Sequence, residues 1–194
     1  GISPEPGSLV YITDTKNNRV QVFRQVTTSS KNKAIIVAGG GPYPGNNLWD
    51  ATQMSANFAY RTLTYQGYTK ENIRYLTSAN IDLDNNGVLD DIAGDATNAN
   101  LQNAILTWAA GAEDVIVYLV DHGGVDSFRM SGNETLSAAQ LSSWLNTLQN
   151  SITGKVIVIY DACESGSFVG DLMPSPGKSR IVIASTSPGE SAYF

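Results

Sequence analysis

The chain has one cysteine and one histidine in 194 residues, and both scarcities exclude something. A single cysteine rules out an internal disulfide, so cysteine usage gives no reading of the redox compartment. It also disfavours a closed structural zinc site, which takes four Cys or His ligands. Basic residues are sparse as well: 12 Lys and Arg against 18 Asp and Glu, a formal net charge of −6 with no basic run. Phosphate backbones are bound by clustered cations, so no nucleic-acid partner is expected. No apolar run approaches the roughly 18 residues that a spanning helix requires, so no membrane span is expected. The apolar and charged fractions, 42% and 15%, are those of an ordinary globular chain long enough for one substantial core.

The first residue is Gly1 rather than Met, so a trimmed or engineered start is expected and a localisation signal can have been removed. The first thirty residues differ in character from the rest. Leu9–Thr13 and Arg19–Phe23 are short β-type runs flanking the turn-rich Asp14-Thr15-Lys16-Asn17-Asn18, which predicts a hairpin within residues 1–26. Thr27 to Asn32 is polar and reads as a linker. From Lys33 to the end, apolar runs alternate with helical patterns. Strands are expected at Ala34–Ala38, Ile73–Leu76, Val115–Val120, Val156–Tyr160 and Ile181–Ser185. Helices are expected at Ala51–Gln66, Ala99–Ala110 and Ala138–Gln149, with Gly67 ending the first and Ser137 with Gln140 capping the third. A small hairpin fits Phe128–Leu136, and 77–98 is the longest irregular segment. Such alternation gives an α/β fold, a mostly parallel sheet with helices on both faces.

The chemistry sits at strand ends. His122 follows VIVYLVD and Cys163 follows VIVIYDA, so both lie at the carboxyl edge of the sheet, where open α/β sheets bind ligands. If the two strands are neighbours, about 4.8 Å apart, the side chains converge on one cleft. A thiol beside an imidazole is a competent nucleophile, and the same imidazole can protonate a leaving amine. Gly123 lets backbone approach a substrate, and its N–H with that of Cys163 would form an oxyanion hole. The bland alternative is a buried structural Cys and an unrelated His.

Two other sites are read from the residues. Asp82, Asp84, Asn86, Val88 and Asp90 fall at the alternate positions of a calcium loop, and Gly87 permits its turn. The acid normally found at the twelfth place is Ala93, which leaves Asp91 or Asp95 as a substitute, with a solvated acidic turn as the alternative. Gly39-Gly40-Gly41 lacks the Lys-Ser/Thr pair of a phosphate loop and reads as a turn. No organic cofactor is called for. Ser165 and Ser167 are not in a G-x-S-x-G elbow. Asn133-Glu134-Thr135 is formally a glycosylation sequon.

Three motifs in order then point to a family. Asp161-Ala162-Cys163-Glu164-Ser165-Gly166-Ser167 is similar to the legumain family's Glu-Ala-Cys-Glu-Ser-Gly-Ser nucleophile motif. Asp121-His122-Gly123 resembles its Asp-His-Gly, and Ser187 to Tyr193 resembles its Asn-Pro-x-Glu-Ser-Ser-Tyr. Residues 59–74 also resemble its helix and loop before the second strand. The likeness covers residues 33–194 and implies a caspase–hemoglobinase-like three-layer sandwich, a cysteine endopeptidase activity and a peptide or protein substrate. Transfer to an amine, as in transamidase-type relatives, and a catalytically silent binding or scaffold domain are the alternatives. Asp161 stands where the family has a specificity Glu, and the family's Arg-His pair has no counterpart around Leu48–Thr52. Asp161 and Ser185 are placed in the substrate pocket with Asp50 near it, which leaves the residue before the scissile bond open, a basic one included, and a preference for Asn is not assumed. The Asn that orients the histidine corresponds to Asn46 or Asn47. The family continues into a sixth strand, so this domain is expected to be shortened at its C-terminal end. LVYITDTKNNRVQVF resembles the end of an NHL-type propeller blade, which implies a longer protein with an upstream propeller, exported or at the cell surface.

Overall fold

A computed structural model describes residues 9–14, 19–24 and 31–193. The N-terminal hairpin strands are present: β1 (Leu9–Asp14) and β2 (Arg19–Arg24) pair antiparallel, with Leu9 opposite Arg24. The turn expected between them, and most of the 27–32 linker, lie outside the described residues. Lys31 and Asn32, which are described, are tied to the main domain by bonds from Glu113 N–H and Asp114 N–H.

The main sheet has five strands: β3 (Lys33–Ala38), β4 (Ile73–Leu76), β5 (Val115–Val120), β9 (Val156–Asp161) and β10 (Arg180–Ala184). They run in the order β10-β9-β5-β3-β4, and every pairing is parallel. The alternation along each strand sorts the core into two layers. Ile35, Val37, Val117, Leu119, Val158 and Tyr160 face one way, against α2 (Asn98–Asn103) and α3 (Ala138–Leu148). Ala34, Ile36, Ala38 and Tyr75 face the other way, against Ala56 and Tyr60 of α1 (Trp49–Tyr65). This is the expected three-layer α/β sandwich. Gly67, at φ +92, takes the left-handed turn that ends α1, where a Cβ would be strained.

Two elements depart from expectation. The second helix does not run on regularly: α2 starts under a Thr97 cap, then widens into a π-type turn over Ala104–Trp108. Trp108 is held there by its partners, since its ring carries the Lys33 ammonium and Arg74 guanidinium at 4.8 and 5.2 Å and its carbonyl accepts from Lys33 Nζ. The hairpin after β5 has three strands rather than two: β6 (Gly123–Gly124), β7 (Ser127–Arg129) and β8 (Thr135–Ser137). Phe128, Met130 and Leu136 are wholly buried, with Phe128 edge-on to Tyr160 of β9 at 5.5 Å. That packing fixes the hairpin beside the end of the sheet, next to His122.

The irregular 77–98 loop is pinned by one buried carboxylate. Asp91 accepts from Tyr60 Oη (2.7 Å), Leu83 N–H (2.7 Å) and Asp84 N–H (3.3 Å). Burial alone would raise its pKa, but these donors and the nearby Lys70 hold it below the usual carboxylate value.

Candidate active site

β5 and β9 are adjacent, with Val120 opposite Asp161, so the turns carrying His122 and Cys163 leave neighbouring strands at the same level. The sequence required this adjacency and had no means of supplying it.

Each turn is held by its own network. On the β5 side, Asp121 is fully buried and its carboxylate accepts from His122 N–H (2.6 Å) and from Thr52 Oγ1 at the start of α1 (3.0 Å). Burial pushes the Asp121 carboxyl above its ordinary pKa, and these donors oppose the rise. His122 Nε2 lies 3.2 Å from Asn46 Oδ1 in the β3–α1 loop. Asn46 Nδ2 donates to Gly41 O (2.9 Å), which leaves Oδ1 to face the imidazole and Leu48 N–H. Of the two candidates for the orienting residue, the structure brings Asn46 to the histidine.

On the β9 side, the half-buried Cys163 is followed by Glu164 at φ +59, a left-handed conformation costly for a residue with a Cβ. The turn that holds it is over-determined. Glu164 N–H donates to Glu190 O (2.9 Å), and Gly189 N–H donates to the Glu164 carboxylate. Ser165 and Thr186 exchange bonds from backbone N–H to side-chain oxygen in both directions (3.1 and 3.0 Å). Ala192 N–H donates to Cys163 Sγ at 3.3 Å, so the Ser187–Tyr193 stretch wraps the Cys163 turn.

Gly123 joins the two turns. A Cβ there would collide with the Cys163 carbonyl, lie 2.6 Å from Tyr160 Oη and 2.9 Å from Ala162 Cβ. Only glycine lets the β5 and β9 turns approach this closely. The Tyr160 hydroxyl is itself held by Ser127 O at 3.1 Å.

Of the two residues expected in a substrate pocket, Asp161 lies on the α1 side of the sheet. Asp161 Oδ2 accepts from Tyr118 Oη at 3.4 Å, and Tyr118 packs against the α1-side core. Ser185 Oγ accepts from Ala162 N–H (3.2 Å), so it braces the turn before Cys163 with one lone pair while its own proton stays available. Beside His122 is an open cleft of about 390 Å³, bordered by Tyr43, His122, Gly123, Ser127, Arg129 and Thr135.

The acidic loop is only partly the expected one. Carboxylate oxygens of Asp82, Asp84 and Asp91 lie within 4.8 Å of one another, whereas Asp90 is drawn off by Lys70. Asn86 and Gly87 N–H groups donate to Asp82 and Asp84, and Asn86 Oδ1 accepts from Val88 N–H.

Residues 52–193 match the family model of the Peptidase C13 family, the legumain family, over most of the chain. The chain belongs to the peptidase C13 family. No curated protein matches it. Membership makes this a cysteine-peptidase-type domain whose substrate class is protein, and its fold agrees with that family's sandwich. No helix among the described residues is long and apolar enough to cross a membrane.

Sequence reasoning missed Thr52, the Ser165–Thr186 pair and Arg129. Thr52, a polar residue on the buried face of α1, carried a faint signal; the others carried none.

Proposed function

We propose that this C13 domain is an endopeptidase that cuts peptide bonds through Cys163 and His122. The observation that carries the reading is the His122–Asn46 contact on a turn in register with that of Cys163. An amide oxygen facing Nε2 selects the tautomer with the proton on Nε2, which leaves Nδ1 as the base for the thiol. Nδ1 takes the Cys163 proton as sulfur attacks the substrate carbonyl. In this reading the backbone N–H groups of Gly123 and Cys163 meet the oxyanion that forms. His122 then returns the proton to the leaving amine, and water hydrolyses the thioester with His122 as base. An external amine in place of water would give transamidation. The Tyr118-bound carboxylate of Asp161 favours a basic residue before the scissile bond. Incubating a diverse peptide library with the wild type and with Cys163→Ala tests the proposal: cuts that vanish in the variant support it, and equal cutting removes it.

A second reading concerns the acidic loop. The grouped oxygens of Asp82, Asp84 and Asp91, with Asn86 and Val88 beside them, support a structural calcium ion in which Asp91 supplies the acid missing at the twelfth place. No step of the chemistry passes through it. At calcium well above its Kd the melting temperature should rise by about 5 °C over the chelated protein. Identical melting in the two conditions removes the ion.

A further inference from the structure

The cleft on the hairpin side of His122 has a charge that the peptidase reading does not use. Arg129 lines it, and the position of this residue is fixed twice: its N–H donates to His122 O (2.9 Å), and its guanidinium lies over the Tyr43 ring at 5.4 Å. Its side-chain hydrogen-bond partner is a neutral one, Asn133 Oδ1, at 3.1 Å. Nε is buried and has no hydrogen-bond partner. Among the described residues, no carboxylate lies within ion-pair distance of it. A guanidinium so held, with donor capacity unspent, suits a carboxylate better than any other common group.

The location decides which part of a substrate it meets. β7 packs through Phe128 into the α2–α3 side of the core, whereas Asp161 and Tyr118 are on the α1 side. His122 therefore borders a cleft that carries a cation, while the Asp161 carboxylate lies on the α1 face of the sheet and outside that cleft. The cleft is bordered by His122 and Gly123 but by neither Cys163 nor Asp161. A general acid faces the group it protonates, here the leaving amine. The space beyond His122 is consequently where the chain on the leaving side runs.

Resting on the peptidase reading, we infer that this cleft is a leaving-side subsite in which Arg129 binds a carboxylate within the first residues after the scissile bond. The carboxylate comes from an acidic side chain or from a free C-terminus close behind the cut. Ser127 and Thr135 border the same cleft and offer hydroxyls to such a group.

The test compares peptides identical up to the cut and carrying Asp, Ala or Lys just after it, together with short Ala peptides ending in a free or an amidated carboxyl. The wild type should favour Asp over Lys in kcat/KM by about 30-fold, the effect of one charge-assisted pair gained in one substrate and a like-charge contact in the other. A preference that follows the side chain or the terminal carboxyl supports the subsite and says which source it reads. Arg129→Gln should bring the Asp-to-Lys ratio near one, and Arg129→Glu should invert it. Equal rates for all substrates in the wild type, or a preference unchanged in Arg129→Gln, overturn the inference. Calorimetric binding of the same peptides to Cys163→Ala, with and without Arg129→Gln, separates the two readings. If the wild type cuts nothing, the peptidase reading falls. Tighter binding of the acidic peptide, lost with Arg129→Gln, then upholds carboxylate recognition by Arg129 without its leaving-side role, and equal binding removes both.

Discussion

Replacing His122 with alanine should lower kcat/KM for peptide cleavage by about a thousandfold and slow alkylation of Cys163 to the rate of an ordinary thiol. The magnitude follows from losing one group that acts as both base and acid, each role worth about 10²–10⁴. The second readout follows from the thiolate being the reactive species, so an imidazole that shares its proton governs labelling as well as turnover. The variant should remain folded, because the turn is held by the Asp121 carboxylate and by hairpin packing rather than by the imidazole. Unchanged labelling in a folded His122→Ala protein would separate the two residues chemically and favour a silent scaffold.

Gly123→Ala is expected to be nearly as damaging through a different cause. The added methyl would point into the Cys163 carbonyl, the Tyr160 hydroxyl and Ala162 Cβ, all three backbone or buried core atoms with little room to yield. The two turns must separate. A displacement of about 1 Å at the nucleophile costs on the order of a hundredfold in rate, and overpacking at such a junction costs about 1–3 kcal/mol of stability. Kinetics and thermal melting measured on the same preparation check both. Wild-type activity in this variant would mean that the approach of the two turns is not required.

The parts of this molecule legible in its sequence are those carried by local pattern. VIVYLV and VIVIY are apolar on both faces because helices cover both faces of the central strands, and the structure places them side by side at the centre. A similar run in β10 belongs to an edge strand, where Ile181 and Ile183 are 44% and 49% exposed; composition does not tell a central strand from an edge one. Gly123-Gly124 gave no strand signal, since glycine has no β preference, yet pairing with β7 makes it one. Cys163 and His122 were legible because each follows a strong strand. Their supports were not: Thr52 reaches Asp121 across 69 residues, and Thr186 reaches Ser165 across 21. In the acidic loop, spacing offered both Asp90 and, for the missing twelfth-place acid, Asp91; Lys70 bonds to the exposed Asp90, while the buried Asp91 accepts from Leu83 N–H. Arg129 is a single cation in a short hairpin, and its meaning comes from the cleft alone.

The central claim is that Cys163 and His122 form one working site, and peptide-library cleavage by the wild type against Cys163→Ala, with cut sites read by mass spectrometry, tests it most directly. The account predicts wild-type cuts, mostly after basic residues, that disappear in the variant. Cuts that persist in Cys163→Ala, or a folded wild type that cuts nothing in the presence of calcium, would contradict it.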